Sequence, residues 1–240
     1  MSKHRLVTAV AAGLLAGVAQ LAHAADLELP YQMARVSNWT GCYGGVHVGV
    51  NAMQDTWTAA LANGVEFWAV GFLGGGQFGC NYQLGRFVVG LESEIWGSSI
   101  KSEKNFADFA IGTKVSTANP WDFATSGRAG FAFDDVFVYL KGGVVVGGFS
   151  YKQTSTGGFA SAGSAVNTGA LLGLGFEYAF APLWTAKVET DVALFSTTKA
   201  NIANTGLGNN ATQMTISETQ ILFKIGVNRR FTSDFSLALD

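Results

Sequence analysis

Two segments near the C-terminus decide the fold: 184–195 (WTAKVETDVALF) and 221–231 (ILFKIGVNRRF). In the first, Trp, Ala, Val, Thr, Val and Leu fill the even positions, whereas Lys187, Glu189 and Asp191 stand at odd positions. A β-strand places those three charges on one face, whereas a helix would distribute them around its axis. The second segment alternates Ile, Phe, Ile and Val with Leu, Lys, Gly and Asn. Both segments therefore predict strands with one bulky apolar face.

The same period-two pattern recurs toward the N-terminus, which gives eight predicted strands. Each is roughly as long as a tilted transmembrane strand must be. The other six segments are 41–51, 67–82, 87–95, 121–133, 136–151 and 167–180.

The connections between these strands alternate in length. The links at 83–86, 133–135 and 181–183 are tight, whereas the others are long and rich in Asn, Ser, Thr, Ala and Gly. Together with the even strand count, this predicts an all-β fold: an eight-stranded antiparallel transmembrane β-barrel with short periplasmic turns and four long extracellular loops. A soluble lipocalin-like barrel or β-sandwich would turn its bulky face inward. Here the polar face is small and glycine-rich, which favours lipid outside.

The composition agrees with a membrane protein that crosses without helices. Of 240 residues, 48% are hydrophobic and only 13% are charged, and the formal net charge is −2. The mature part lacks a stretch suited to a spanning helix, and only helices and closed barrels satisfy their backbone in lipid. The charge balance gives no reason to expect nucleic-acid binding.

The N-terminus carries an export signal. Lys3 and Arg5 precede an apolar run over 6–21, and Ala22-His23-Ala24 supplies small residues at the positions that a signal peptidase reads. We predict a signal peptide over 1–24, cleaved after Ala24. A periplasmic segment (25–38), the barrel (39–231) and a C-terminal tail (232–240) follow, and the predicted location is the outer membrane of a Gram-negative envelope.

Several short motifs, taken in order, resemble the opacity-type outer-membrane proteins and surface antigens of alphaproteobacteria. The resemblance spans 39–231 and implies an eight-stranded barrel and an abundant surface protein that supports the envelope. Some members of that family bind haemin, but no motif carries that activity to this chain. Members usually stop at a terminal aromatic, where Phe231 stands, whereas nine residues follow it here. The motifs are 39–45 (WTGCYGG), 75–83 (GGQFGCNYQ), 87–92 (FVVGLE), 128–133 (RAGFAF), 175–179 (GFEYA), 184–189 (WTAKVE) and 226–231 (GVNRRF).

The inward faces of the predicted strands carry five acids and five bases. An eight-stranded barrel has an interior just wide enough for side chains, and unpaired charges there are costly. We therefore predict a salt-bridged plug. The alternatives are an ion pathway or an acid–base pair such as Glu189 and Asp191. The predicted network comprises Glu92, Glu94, Arg128, Lys141, Glu177, Lys187, Glu189, Asp191, Lys224 and Arg230.

The sequence favours a protein without catalysis, cofactor or metal. His47 is the single histidine of the mature chain and its parity points into the lumen, so a lipid-facing Ser/His hydrolase site lacks its base. No cluster has metal-ligand spacing. Gly74-x-Gly76-x-x-Gly79 matches a dinucleotide fingerprint by letter, but it lies between strand and turn rather than strand and helix.

The predicted function is a structural or adhesive role at the cell surface. The alternative is a ligand-binding barrel, for example for haemin through the loops, or a weakly conducting, porin-like one. The predicted partners are outer-membrane lipid and lipopolysaccharide, the barrel-assembly machinery during insertion, and a host or surface ligand bound by the loops.

Two cysteines fall in the first hairpin. If the loop over 51–66 is centred near residue 61, an antiparallel register sets Cys42 opposite Cys80. Directly opposed residues in a non-hydrogen-bonded pair have Cα atoms about 4.5 Å apart, and the periplasm is oxidising. We predict a structural disulfide. The alternative is two free thiols in lipid, which a register error of two residues would produce.

Overall fold

The computed structural model describes residues 38–59, 62–106, 113–155, 160–202 and 212–231. The predicted signal peptide with its cleavage after Ala24, most of the periplasmic segment and the C-terminal tail lie outside these residues. In the described part of the chain, no helix is long and apolar enough to span a membrane. The described residues form ten strands: β1 (Gly41–Ala59), β2 (Ala62–Leu84), β3 (Phe87–Ser98), β4 (Lys101–Phe106), β5 (Thr113–Phe133), β6 (Val136–Ser155), β7 (Ala160–Ala181), β8 (Trp184–Phe195), β9 (Thr198–Ile202) and β10 (Thr212–Arg230).

These strands form one closed antiparallel barrel. Along the wall the order is β1, β2, β3, β5, β6, β7, β8 and β10, and β10 pairs back to β1 from Tyr43↔Arg230 to Ala59↔Met214. The short β4 pairs with β5 above β3, and β9 pairs with β10 above β8. The barrel wall therefore consists of eight strands around its circumference, which confirms the predicted fold.

Three two-residue turns join strands at the periplasmic end, at the positions that the sequence predicts. The turn between β2 and β3 contains Gly85 with φ of 63°, and the turn between β5 and β6 contains Asp134 with φ of 51°. Glycine and aspartate tolerate this left-handed conformation better than most residues. Pro182 and Leu183 form the third turn, between β7 and β8.

The barrel is inverted relative to a soluble protein. The outward-facing Val70 and Phe72 are 73% and 75% exposed, whereas Lys187 and Lys224 inside are 1% and 0% exposed. An apolar exterior around a polar interior suits a wall in contact with lipid. This confirms the transmembrane prediction.

Strands continue further on the extracellular side than the alternation pattern predicts. β1 has 19 residues and β2 has 23, whereas about 9–11 tilted residues cross the hydrocarbon core. Above the lipid the outward face meets water, so polar residues such as Gln54 and Ser217 occupy outward positions. Because apolar and polar residues do not alternate in these extensions, the sequence predicts loops there.

In the extracellular extension the wall divides into two sheets. The β2–β3 ladder ends at Leu73↔Ser98 and the β7–β8 ladder ends at Gly169↔Phe195. Just above, Ser99 N donates to Phe72 O at 2.9 Å and Ser196 N donates to Thr168 O at 2.8 Å. Beyond these points, pairing among the described residues joins β9, β10, β1 and β2 on one side and β4, β5, β6 and β7 on the other.

The lumen is filled in four layers, whose order is read along β5 and β10. From the periplasmic end they are an apolar cap, a lower charge layer, an apolar middle layer and an upper acidic layer. Along β5, Ala132 lies in the cap, Arg128 in the lower charge layer, Ala124 in the middle layer and Asp122 in the upper acidic layer. Along β10, Lys224 lies in the lower charge layer, Leu222 in the middle layer and Glu218 in the upper acidic layer. The cap comprises Trp39, Val88, Ala132, Phe137, Tyr139 and Ala179. The middle layer includes Met53, Leu73, Trp96, Phe149, Leu171, Phe195 and Leu222.

Candidate functional site

The lower charge layer brings together nine of the ten charged side chains that the sequence predicts. Alternate residues of β3 and β8 point inward and supply five of them, because successive side chains of a strand face opposite sides. The remaining four come from β5, β6, β7 and β10. The nine are Glu92, Glu94, Arg128, Lys141, Glu177, Lys187, Glu189, Asp191 and Lys224.

Three lysines bridge the carboxylates of this layer. Lys224 Nζ lies 2.6 Å from Asp191 Oδ2 and 2.7 Å from Glu189 Oε1. Lys141 Nζ lies 2.7 Å from the same Glu189 oxygen, and Lys187 Nζ lies 3.3 Å from Glu94 Oε1. Glu189 and Asp191, the carboxylates considered for acid–base chemistry, are therefore both held in ion pairs.

Arg128 organises the periplasmic side of the layer. Its Nη1 lies 3.1 Å from Glu177 Oε2, and its Nε donates to Asn81 Oδ1 at 2.9 Å. The guanidinium carbon lies 4.5 Å from the ring centroid of Tyr43 and 5.0 Å from that of Tyr139. Arg128 thus combines an ion pair with cation–π contacts, which suits a planar delocalised cation.

The two tyrosines belong to the site, although the charge pattern did not reveal them. Tyr43 donates to Glu92 Oε2 at 2.6 Å, and Tyr139 donates to Glu189 Oε2 at 2.8 Å. Lys187 Nζ lies further from the same two oxygens, at 3.4 Å from Glu92 Oε2 and 3.7 Å from Glu189 Oε2, so each tyrosine supplies the shorter contact. Their inward parity was the available signal, because both alternate with outward-facing neighbours.

Each tyrosine lies over a glycine on the next strand. Tyr43 pairs with Gly79, where an added Cβ would lie 2.3 Å from Tyr43 Oη. Tyr139 pairs with Gly175, where an added Cβ would lie 2.2 Å from Tyr139 Cζ. These glycines make room for the rings. Gly79 is the last glycine of the Gly74-x-Gly76-x-x-Gly79 motif, and packing against Tyr43 accounts for its presence there.

Arg230 is the member of the predicted network that the structure places elsewhere. Its Nη1 donates to Asn38 O at 2.7 Å, its Nη2 donates to Pro182 O at 2.9 Å, and its guanidinium lies 5.5 Å from the Trp39 ring. Strand parity gives the face of a side chain but not its height. At the periplasmic end of β10, Arg230 binds backbone carbonyls instead of carboxylates.

His47 lies inside the lumen, as its parity predicts. It is 2% exposed, and its Nδ1 shares a hydrogen bond with Gln77 Oε1 at 2.6 Å. Gln77 Nε2 in turn donates to Asn228 Oδ1 at 2.7 Å. The imidazole is therefore part of a buried polar chain and does not reach the lipid face.

One carboxylate trio has a spacing that a metal ion could use. Oxygens of Glu92, Glu94 and Glu189 lie within 4.8 Å of one another. Lys141 and Lys187 contact all three residues, and Lys224 contacts Glu94 and Glu189. Ammonium groups already supply the positive charge there, so this trio is an ion-pair cluster.

The sequence did not indicate the upper acidic layer. Asp55 and Glu218 lie outside the predicted strands, whereas Asp122 lies on the predicted strand 121–133, where its inward parity was the available signal. Asp55, Asp122 and Glu218 are at most 2% exposed. Asp55 and Glu218 are directly opposite each other on β1 and β10. Tyr151 donates to Glu218 Oε1 at 2.8 Å and Asn119 Nδ2 donates to Asp122 Oδ1 at 3.1 Å. The layer faces the extracellular end.

The structure joins Cys42 and Cys80 in a disulfide. The two residues pair directly across β1 and β2, with Cα atoms 3.9 Å apart. The register is the one that the sequence analysis proposed. The bond therefore ties the periplasmic ends of the first hairpin together.

Comparison with solved structures supports the class that the fold defines. The outer-membrane protein OprG from Pseudomonas aeruginosa superposes with a TM-score of 0.53, covering 82% of this chain and 99% of that chain at 13% identity. At this identity the match shows the fold alone. The closed barrel and its apolar exterior define an integral membrane β-barrel protein.

Sequence comparison adds relatives from one genus. The 31 kDa outer-membrane immunogenic protein of Brucella melitensis is 29% identical over 170 residues, covering 63% of this chain and 69% of the relative. The protein of the same name from Brucella suis matches with the same identity and coverage. No protein-family model matches the chain. The protein is thus an outer-membrane β-barrel surface protein, which confirms the predicted location.

Proposed function

We propose that this protein is a non-conducting, non-catalytic barrel that supports the outer membrane and presents its extracellular extension to host or other external surfaces. The observation that carries the proposal is the closed lumen. Lys141, Lys187 and Lys224 are 4%, 1% and 0% exposed and are all held in ion pairs. A small barrel whose interior is filled by side chains leaves no water-filled path.

The layers above and below the charges strengthen the seal. An apolar layer around Trp96, Phe149 and Leu171 covers the charges on the extracellular side, and Trp39 with Phe137 covers the periplasmic side. An ion on a path through the barrel would have to break buried ion pairs and shed its hydration among apolar side chains, and both are costly.

Planar-bilayer recording of the refolded protein tests the proposal. We expect no stable single-channel conductance for the wild-type chain, because the lower charge layer fills the section of the barrel. Lys187→Ser, which shortens one bridging side chain, is the matched variant. Brief channel openings in this variant would show that the assay can detect a loosened plug. Stable, ohmic wild-type conductance would contradict the proposal and favour the porin-like alternative.

The absence of catalysis in the proposal is supported by the environment of His47. Its ring bonds with Gln77 inside the barrel, so it does not activate a nucleophile at the lipid face. We expect refolded protein in phospholipid vesicles to release no fatty acid above the protein-free rate. Release that His47→Gln abolishes would overturn this part.

Presentation of the extension at the cell surface can be tested by insertion of an epitope tag. Tags beside Asn63, Asn105, Thr156 or Asn209 should be accessible on whole cells, because the long connections face outward. Tags in the Asp134-Asp135 turn or beside Pro182 should react only after permeabilisation. Labelling at Asp135 in intact cells would reverse the orientation.

The opacity-type family is part of this proposal. The order of the motifs over 39–231 supports it, as does the similarity to Brucella proteins that are named immunogenic. Lipid, lipopolysaccharide and the barrel-assembly machinery are the partners that the proposal requires, because the apolar exterior must be inserted into and held by the membrane.

A further inference from the structure

The upper acidic layer contains buried negative charge that the described residues do not balance. Among them, no lysine or arginine forms an ion pair with Asp55, Asp122 or Glu218, and the charge that acts on Asp55 and on Asp122 is the carboxylate of Glu218. In the lower charge layer, by contrast, every carboxylate is within 4 Å of a lysine or arginine. Buried charges are normally paired or bound to metal. Among the residues that the structure describes, the upper layer therefore has no counter-charge.

The Asp55 carboxylate is the least satisfied group in the layer. It is 0% exposed, and neither oxygen accepts a hydrogen bond. Ser102 is the neighbouring hydroxyl that interacts with this carboxyl. Glu218, directly opposite, uses its oxygens to accept from Tyr151 at 2.8 Å and from Asn167 at 2.9 Å. Asp55 therefore has free lone pairs beside a second carboxylate.

A second observation comes from neutral side chains. Thr117 of β5 pairs with Ser102 of β4 on one side and with Tyr151 of β6 on the other. Ser102 interacts with Asp55 and Tyr151 donates to Glu218, so Thr117 lies between a neighbour of each acid. Thr117 is 0% exposed, and its hydroxyl has no hydrogen-bond partner. Asn119 Oδ1 on the same strand is also buried and unpartnered.

Protonation would not satisfy this set of groups. A proton on Asp55 removes one charge, but it leaves the Thr117 hydroxyl without a partner and the Glu218 charge in place. A hard cation such as Ca²⁺ takes about six to eight oxygen ligands from carboxylates, carbonyls, hydroxyls and water. The unsatisfied oxygens are all of these types, so a divalent cation would resolve charge and hydrogen bonding together.

The position of the layer gives a cation a route in. Asp55 pairs with Phe67 of β2, which lies on the extracellular side of Leu73, where the β2–β3 ladder ends. Glu218 lies on the extracellular side of Thr219, which forms the last β8–β10 pair with Leu194. The layer therefore sits where the wall divides into two sheets, on the extracellular side of the apolar middle layer. A cation would enter from outside without crossing the plug.

We propose that a hard divalent cation of the calcium type binds in the extracellular end of the lumen, between Asp55 and Glu218. The paired carboxylates supply the charge, and the Thr117 hydroxyl with water completes the coordination. The cation joins the sheet that contains β1 and β10 to the sheet that contains β4 and β5, and so holds the divided extension closed.

Terbium luminescence of the full refolded chain tests the site. Tb³⁺ replaces Ca²⁺ and emits when a nearby aromatic ring transfers energy to it, and the Tyr151 hydroxyl bonds directly to Glu218. In zwitterionic micelles free of lipopolysaccharide we expect saturable emission with one ion per chain, displaced by excess Ca²⁺ but not by Na⁺. Asp55→Asn should weaken binding at least tenfold. Glu103→Gln, which neutralises an exposed acid of the same extension, should bind as wild type does.

A second readout links binding to folding. Ca²⁺ should raise the urea midpoint of the wild-type barrel but not that of Asp55→Asn, because a ligand stabilises the state that binds it. If Asp55→Asn does not give the heat-modifiable folded band, Glu218→Gln takes its place in both assays. Wild-type protein without saturable emission, or an Asp55→Asn variant that folds and binds Tb³⁺ as wild type does, overturns the proposal.

Discussion

The lower charge layer and the upper acidic layer are equally buried but are compensated differently. The lower layer combines five carboxylates with four cationic side chains, whereas the upper layer has three carboxylates and, among the described residues, no cationic partner. The lower layer lies within the lipid-facing wall, so its counter-charges must come from the chain itself. The upper layer lies where the wall divides, on the extracellular side of the apolar middle layer, and the proposed cation would supply its counter-charge from outside. Access to solvent thus decides which buried charges must be balanced internally.

The largest expected effect comes from removing one cation of the lower layer. Arg128→Ala and Lys187→Ala should each lower the free energy of unfolding by about 3–5 kcal/mol, because they leave acidic neighbours buried and unpaired. Urea unfolding in lipid vesicles, followed by tryptophan fluorescence, measures the change. Unchanged midpoints in both variants would show that these charges are solvated.

Neutralising one acid of the upper layer should not destabilise the barrel. Without divalent cations, Asp122→Asn removes an uncompensated charge, and its amide oxygen can still accept from Asn119. We expect the urea midpoint in the presence of chelator to stay the same or rise. A loss as large as that of Arg128→Ala would show that the two layers are energetically alike.

The disulfide at the periplasmic end is expected to have the next largest effect. Replacing Cys42 and Cys80 by Ala together should cost about 2–4 kcal/mol, because the bond restricts the unfolded chain. Mass spectrometry of non-reduced, alkylated protein checks the bond itself. Two carbamidomethyl groups without prior reduction would show that the thiols are free.

A smaller effect is expected where glycine accommodates a tyrosine of the lower layer. Gly175→Ala should cost about 1–3 kcal/mol, because the methyl group would collide with the Tyr139 ring that supports Glu189. Gly127→Ala is the control, since its nearest neighbouring atoms would lie 4.0 Å away on the outer face. Equal urea midpoints for the two variants would remove the packing role assigned to Gly175.

The smallest effect is expected for an exposed ion pair of the extension. Lys114 Nζ lies 2.7 Å from Glu103 Oε2, and its hydrogen bond and positive charge lower the pKa of that carboxyl. The pair therefore contributes at neutral pH and is lost as the pH falls through the lowered pKa. Because both side chains are about half exposed, solvent screens the pair, and Glu103→Gln should leave the urea midpoint unchanged within error. A clear shift would indicate coupling to other charges.

Strand parity carried most of what could be predicted from the sequence. It placed Lys187, Glu189 and Asp191 on the inner face, and the symmetry of the first hairpin set Cys42 opposite Cys80. Parity does not give height along the barrel axis, which is why Arg230 was grouped with residues that it does not meet. Asp55 and Glu218 were missed because alternation fades where both faces of a strand are polar, whereas Asp122 was missed although it lies on the predicted strand 121–133.

The seam between β1 and β10 has a consequence for biogenesis. It pairs Tyr43 with Arg230, so the first and last strands of the wall meet only after the whole barrel sequence is available. Until then, both strands expose a row of backbone N–H and C=O groups, which hydrocarbon does not tolerate. Closure of the ring must therefore accompany insertion into the membrane. The contacts that complete the barrel are among those most distant in sequence, which makes the closing step intrinsically slow.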